Sequence, residues 1–394
     1  MVGAARCRQL RVLQSEKMAS AGIYIHIPFC RSRCSYCDFA TGIYYREAAE
    51  RYTRAVGREI GGWNEVEPTT VNSIYFGGGT PSTLFPQQLE AILTTIQKRF
   101  SVEVDAEVTM EMNPGDLDRK TLRDFRNLGI NRASFGAQTF DDRELARLGR
   151  SHSAADIRKT FHELRNAGFG NISFDLIAGL PGQTMDGWVH NVREALTLKP
   201  EHLSFYLLEV HEGTPLAEHI RQGRQPKPDD DLAASMYQVM LEESCRAGYE
   251  HYEISNLCLP GFESRHNTKY WTGEPYYGFG CSAHSYDGRF RRWANERDPN
   301  RYVKSVEDEE SPVAQRWELS ETERLSETVF LGLRLMKGLN ARDYQLSFGV
   351  DLFAEHKNDL EMFREAGLID VTGDVIRLTR EGALMSNEVF AALM

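Results

Sequence analysis

Much is missing from this 394-residue sequence. No apolar run approaches the roughly 18 residues that a membrane span needs. Basic residues are not in excess: 46 Lys and Arg stand against 57 Asp and Glu, a formal net charge of −11. That balance argues against a bulk nucleic-acid binder, which neutralises phosphates with clustered cations. There is no low-complexity tract and no internal repeat beyond a strand–helix alternation. With 41% hydrophobic and 10% aromatic residues, the composition excludes a disordered chain, a collagen-like chain and a small disulfide scaffold. An even cysteine framework is absent too. The seven cysteines are an odd number, and no apolar stretch follows Arg6, Arg8 and Arg11 to make a secretory signal. The expectation is a reducing, cytoplasmic setting. Residues 1–20 read as a disordered or extended tail. An Arg-rich transit segment, or an upstream start codon with Met18 as the true start, are the other readings of that stretch.

What is present is a regular alternation. Strands are expected at Ile23–Ile27, Val71–Phe76, Glu107–Met112, Arg132–Gln138, Ile172–Ile177 and His202–Val210, with helical patterns between them. Helices between consecutive strands force parallel pairing. The expected fold class is α/β: a partial (β/α)6 barrel over residues 21–215, with function at the C-terminal strand ends. Residues 222–231, with a Gly, two Pro and three Asp, read as a linker. Residues 216–312 are expected to extend the barrel, with 252–286 a long loop region rich in Gly and aromatics and 301–312 a hinge. Ser320-Glu321-Thr322-Glu323 is a capping box. It opens an α+β, winged-helix-like domain over 313–394, with a hairpin turning at Gly373-Asp374. That domain holds nine Lys and Arg against fourteen Asp and Glu, the wrong sign for DNA.

The cysteines are unevenly placed. Cys30, Cys34 and Cys37 form C-x3-C-x2-C directly after the first strand, whereas Cys7, Cys245, Cys258 and Cys281 are scattered. Three thiolates in one short loop can wrap one metal centre, as in iron–sulfur proteins, leaving one iron of a 4Fe–4S cubane open. Zinc is the rival, with His26 as the nearest fourth ligand. Incidental thiols are the bland alternative.

Tyr24-Ile-His-Ile-Pro-Phe-Cys30, the triplet, and Gly77-Gly78-Gly79-Thr80-Pro81-Ser82 resemble the radical S-adenosylmethionine superfamily. Within it the chain is similar to the branch holding oxygen-independent coproporphyrinogen III oxidases and HemW heme chaperones, over residues 22–394. The resemblance implies a 4Fe–4S cluster on Cys30, Cys34 and Cys37. It also implies S-adenosylmethionine on the open iron, cleaved by one electron from a reductase, flavodoxin or ferredoxin. Gly78, Gly79 and Thr80 would let backbone approach the methionine group. Tyr36 would lie at the adenine edge and Tyr24 beside the cofactor. Glu111 and Arg150 would meet its charged end, and Gln138 and Asp175 the ribose or a second cofactor. No residue is assigned a catalytic role.

The branch divides in two. The oxidases resemble proteins with a longer segment before the barrel and a further cysteine two residues past the third ligand. Here that position is Phe39. The chaperones carry H-N-x-x-Y-W, which stands here as His266-Asn267-Thr268-Lys269-Tyr270-Trp271. Imidazole is a good haem ligand, and Tyr270 and Trp271 offer flat apolar faces. His266 is therefore the expected haem ligand, with His284 and Cys281 as rivals. Cys281-Ser282 replaces the Pro-Gly usual before Ala-His-Ser. The resemblance favours a haem chaperone that delivers haem to acceptor proteins. A coproporphyrinogen dehydrogenase-like oxidoreductase is the alternative, so enzymatic activity stays open.

Overall fold

The computed structural model describes residues 20–65 and 70–393. Of the tail expected over residues 1–20, including Cys7 and Met18, all but Ser20 lies outside the described residues. Six strands run in sequence order and in parallel: β1 (Ala21–Ile27), β2 (Thr70–Gly78), β3 (Ser101–Met112), β4 (Arg132–Gln138), β5 (Ile172–Ala178) and β6 (His202–Leu207). Each crossover carries helix, as parallel pairing demands. The outward sides of the strands are thereby covered, and Ile23, Ile25, Phe76, Met110, Phe135, Phe174 and Leu203 are buried in one core with those helices. Polar caps start the helices where the sequence placed them. Asp118 accepts from Thr121 N, Ser153 and Asp156 form a capping box, and Thr184 accepts from Gly187 N.

The sheet is wider than six strands. Tyr276–Phe279 pairs in parallel with the other edge of β1. His284–Tyr286, Arg291–Asn295 and Val313–Glu318 continue antiparallel beyond it. Asn256–Cys258 and Glu250–Glu253 extend the sheet past β6. The twelve strands do not close on themselves, so the barrel is partial.

Residues 252–286 are thus not a long loop. They hold four strands or parts of strands and the helix Arg265–Thr272. These elements run three to eight residues, too short for hydrophobic periodicity to register. The hinge expected at 301–312 is mostly the helix Pro299–Glu307, N-capped by Asp298.

At the C-terminus the capping box forms as expected: Ser320 and Glu323 exchange bonds at the start of the helix Glu321–Arg334. Shorter helices and a three-stranded sheet, Leu339–Asn340, Val375–Leu378 and Ile369–Thr372, follow. Val329, Leu333, Phe363, Ile376, Leu378 and Phe390 make a second core.

Candidate functional site

The C-terminal ends of β1 to β6 open into a cavity of about 430 Å³. Cys30, Cys34 and Cys37 line it, as do Tyr36, Gly78, Gly79, Thr80, Glu111, Gln138, Arg150 and Asp175. Residues spread over 145 positions of sequence meet there because parallel strands deliver their last residues to one end. The three cysteines are unbridged and only partly buried. Burial raises the Cys30 thiol to about 11, and that of Cys37 also upward, so metal binding here must release protons.

Side chains link the cysteine loop to the strand ends. Thr80 Oγ1 lies 3.6 Å from Cys30 Sγ and accepts from Asn113 Nδ2 at 3.0 Å. Arg150 donates to Asn113 Oδ1 at 3.2 Å, to Gly136 O at 2.5 Å and to Cys34 Sγ at 3.2 Å. A continuous bonded path therefore runs from one cysteine to another. Asn113 and Gly136 were not singled out from sequence. Asn113 stands in Glu-Met-Asn-Pro, where the following proline marks a strand exit. At Gly136 a Cβ would fall on the Gln138 side-chain amide and 2.8 Å from Arg150 Nη2, so the missing side chain leaves room for both groups.

A donor set of three free thiols facing one cavity fits an iron–sulfur cluster. Among the described residues, no three His, Cys, Asp or Glu side chains close around a single ion. His26 is not a fourth ligand here. Its ring nitrogens meet Tyr24 Oη at 3.2 Å and Ala40 O at 3.0 Å.

The glycine loop has a further reason to lack side chains. A Cβ on Gly79 would fall 2.8 Å from Phe29 O and 2.9 Å from Ile27 O. Gly79 N and Thr80 N donate to those same carbonyls at 2.8 and 2.7 Å. At Gly78, φ is +108° and a Cβ would meet the His26 ring at 2.5 Å. These glycines let the exit of β1 lie directly on the exit of β2, which aims the cysteine loop into the cavity.

Glu111 receives Tyr75 Oη at 2.8 Å and Gly78 N at 3.1 Å. Burial still raises its carboxyl to about 7, and burial raises Asp175 as well. A carboxyl pKa raised on folding adds stability at low pH that is lost as pH rises from the unfolded value toward 7. Glu111→Gln should therefore stabilise the ligand-free protein by on the order of 2 kcal/mol at pH 8. The gain should fade towards pH 4.5, as denaturant melts of both proteins across that range would show. Gln138 sits in the left-handed region at φ 64°, a conformation that costs a non-glycine residue energy and tends to occur at functional positions.

Four of the residues chosen as cofactor-binding, Tyr24, His266, Tyr270 and Trp271, do not line this cavity. Tyr24 is on β1 one turn of the pleat below the cavity, stacked 6.1 Å from Tyr75. His266 and Tyr270 lie on the helix Arg265–Thr272, whose inward face plugs the opposite, N-terminal end of the strands. Glu107 of β3 accepts from Arg265 N and His266 N at 3.1 and 3.2 Å. His266 Nδ1 meets Ser73 Oγ at 3.1 Å, and Nε2 meets Tyr270 Oη at 2.9 Å. The imidazole is 1% exposed and held neutral, its pKa lowered to about 3 by burial, then by Lys269 and Arg132. In this conformation both ring nitrogens are engaged inside the plug, so His266 could bind haem iron only by giving up the bond to Ser73 or to Tyr270. The rivals fare differently: Cys281 is fully buried against Tyr52, and His284 is exposed at the start of the short strand His284–Tyr286. Trp271 leaves the plug on its other side and lines a second cavity.

Comparison with known proteins agrees with this architecture. The radical SAM superfamily matches residues 24–195, and the HemN C-terminal domain matches 319–385. The chain is 36% identical to the heme chaperone HemW of Bacillus subtilis over 94% of its own length and 98% of that protein's. It is 34% identical to the mitochondrial radical S-adenosyl methionine domain-containing protein 1 of Bos taurus, covering 95% and 87%. In structure it resembles the coproporphyrinogen III oxidase HemN of Escherichia coli, with a TM-score of 0.84 at 22% identity, covering 95% and 90%. That likeness speaks for the fold. The near full-length identity speaks for kinship, and the chain belongs to the HemW family of the radical SAM superfamily.

Proposed function

We propose that this protein is a haem chaperone that binds a 4Fe–4S cluster and S-adenosylmethionine and passes haem to acceptor proteins. The observation that carries the reading is its 36% identity to a heme chaperone over nearly the whole of both chains. Phe39 supports it. At the position where the oxidases resembled here carry a further cysteine, the chain places an apolar ring, 63% exposed, at the mouth of the cavity.

In this reading Cys30, Cys34 and Cys37 hold the cluster. Bound together, the cluster and S-adenosylmethionine supply one-electron chemistry, and the protein supplies position and dryness. Arg150 fixes the cysteine loop through Cys34 and Asn113 while turning a cation to the cavity. Glu111 and Asp175 supply carboxyls for an ammonium or ribose hydroxyls, and Gln138 a neutral amide. Tyr36, which lines the same cavity, would lie at the adenine edge. An external reductase, flavodoxin or ferredoxin provides the electron. The setting is taken as cytoplasmic from the cysteine usage. Among the described residues no helix is long and apolar enough to cross a membrane.

Haem titration of the purified protein tests the reading, and a saturable Soret shift is the expected result. His266→Ala should leave the position of the Soret band unchanged while lowering stability by about 2–3 kcal/mol, since it empties a buried, doubly bonded site. A lost or displaced band in a variant that still melts cooperatively would restore His266 as the iron ligand.

A further inference from the structure

The second cavity, of about 630 Å³, shares none of its lining residues with the one at the cysteines. It lies between the end of the plug helix, the antiparallel strands carrying Tyr286 and Arg292, and the C-terminal helices Glu321–Arg334 and Ala341–Phe348. Its size falls in the range of small-molecule sites.

Its walls combine two chemistries. Trp271, Tyr286, Tyr344 and Phe348 provide aromatic surface. Arg324 and Lys337 provide positive charge, and neither has an ion-pair partner among the described residues. The Arg324 guanidinium is held in place 4.2 Å from the Phe290 ring. Of the other charged lining groups, Arg292 and Glu327 neutralise each other at 2.7 Å, and Asp343 lies in the first turn of its own helix, where a carboxylate is favoured. The indole Nε1 of Trp271 is buried without a hydrogen-bond partner, and Arg334 covers one face of that ring at 4.1 Å.

Aromatic walls beside two unpaired cations suit a flat, apolar ring carrying carboxylates. We propose that haem, the cargo in the function argued above on which this inference rests, docks in this second cavity, its propionates held by Arg324 and Lys337. Among the described residues no histidine, cysteine or methionine lines it. Affinity then comes from ring burial and charge-assisted hydrogen bonds rather than from a strong axial ligand, which suits a protein that must release its haem. The cysteine cavity stays free for the cluster and S-adenosylmethionine.

The test uses the full-length protein, titrated with ferric haem and with the dimethyl ester of haem, in wild type and in the double variant Arg324→Gln/Lys337→Gln. Wild type should bind haem about tenfold or more tightly than the ester, the scale of a lost charge-assisted pair. The double variant should bind haem about as weakly as wild type binds the ester and should no longer distinguish the two. Unchanged thermal midpoints in both proteins establish folding. Cluster reconstitution with S-adenosylmethionine should leave haem affinity unchanged. The proposal is overturned if the folded double variant keeps wild-type haem affinity, or if cluster and S-adenosylmethionine compete with haem. A wild type that binds no haem at all overturns the chaperone reading itself.

Discussion

Cys34→Ala should reduce the iron content of anaerobically reconstituted protein to background and abolish its brown absorbance. The expectation rests on the donor count. Only three cysteines line the cavity. Of the others described, Cys258 and Cys281 are fully buried in the core and Cys245 is exposed on the helix Asp230–Arg246, so none of these three is placed to substitute. Two thiolates cannot hold a cubane that already lacks a fourth protein ligand. The fold itself should survive. Cys34 is half-buried in a loop, and its sulfur interacts with Arg150, which keeps its bonds to Asn113 and Gly136. Ligand-free wild type and variant should melt within roughly 3 °C of each other, the effect of about 1 kcal/mol in a protein this large. Retention of stoichiometric iron would remove the cluster assignment.

The second large effect is expected from Gly79→Ala, in which one methyl group is added. Its new Cβ would meet two backbone carbonyl oxygens, Phe29 O at 2.8 Å and Ile27 O at 2.9 Å. A flexible side chain could move aside, but these carbonyls are fixed by their own bonds to Gly79 N and Thr80 N. Relief requires parting the exits of β1 and β2, at a cost of roughly 3 kcal/mol. The same movement carries Cys30 and Thr80 apart, so cluster loading should fall with stability. Gly57→Ala is the control. That glycine lies in the helix Arg46–Gly61, where a Cβ would meet nothing within 4 Å, and alanine favours helix. If Gly79→Ala melts and loads iron like wild type, close backbone contact is not what this glycine provides.

The first half of the chain was largely legible. Arg132–Gln138 forms a strand over the residues its pattern indicated, because alternating helices and strands carry strong periodicity and polar caps. The cavity followed for a geometric reason. Cys30, Gly79, Glu111 and Gln138 lie at or just past the end of a parallel strand and Asp175 points into the same space from within β5, and parallel strands bring their ends together.

Legibility failed where elements are short or partners distant. Tyr276–Phe279 was invisible as a seventh parallel strand because four residues have no measurable period. His266 was legible as part of a motif, but not as part of a plug. Nothing local announces that Ser73 and Glu107, each more than 150 positions away, take its bonds. The glycine loop read as space for a ligand, and Gly78 and Gly79 do line the cavity, but nothing local announced that Gly79 also lies against the carbonyls of Ile27 and Phe29. The second cavity was beyond sequence altogether, being formed by Trp271, Arg324 and Lys337 from elements that meet only in the folded chain.

The most direct measurement of the central claim is a paired anaerobic assay on one reconstituted sample. Half is loaded with haem and mixed with an apo-haemoprotein. The other half is supplied with coproporphyrinogen III, a low-potential reductant and S-adenosylmethionine. The chaperone account predicts haem transfer to the acceptor in the first half and no protoporphyrinogen in the second. Multiple turnovers to protoporphyrinogen, with haem left where it was, would contradict it.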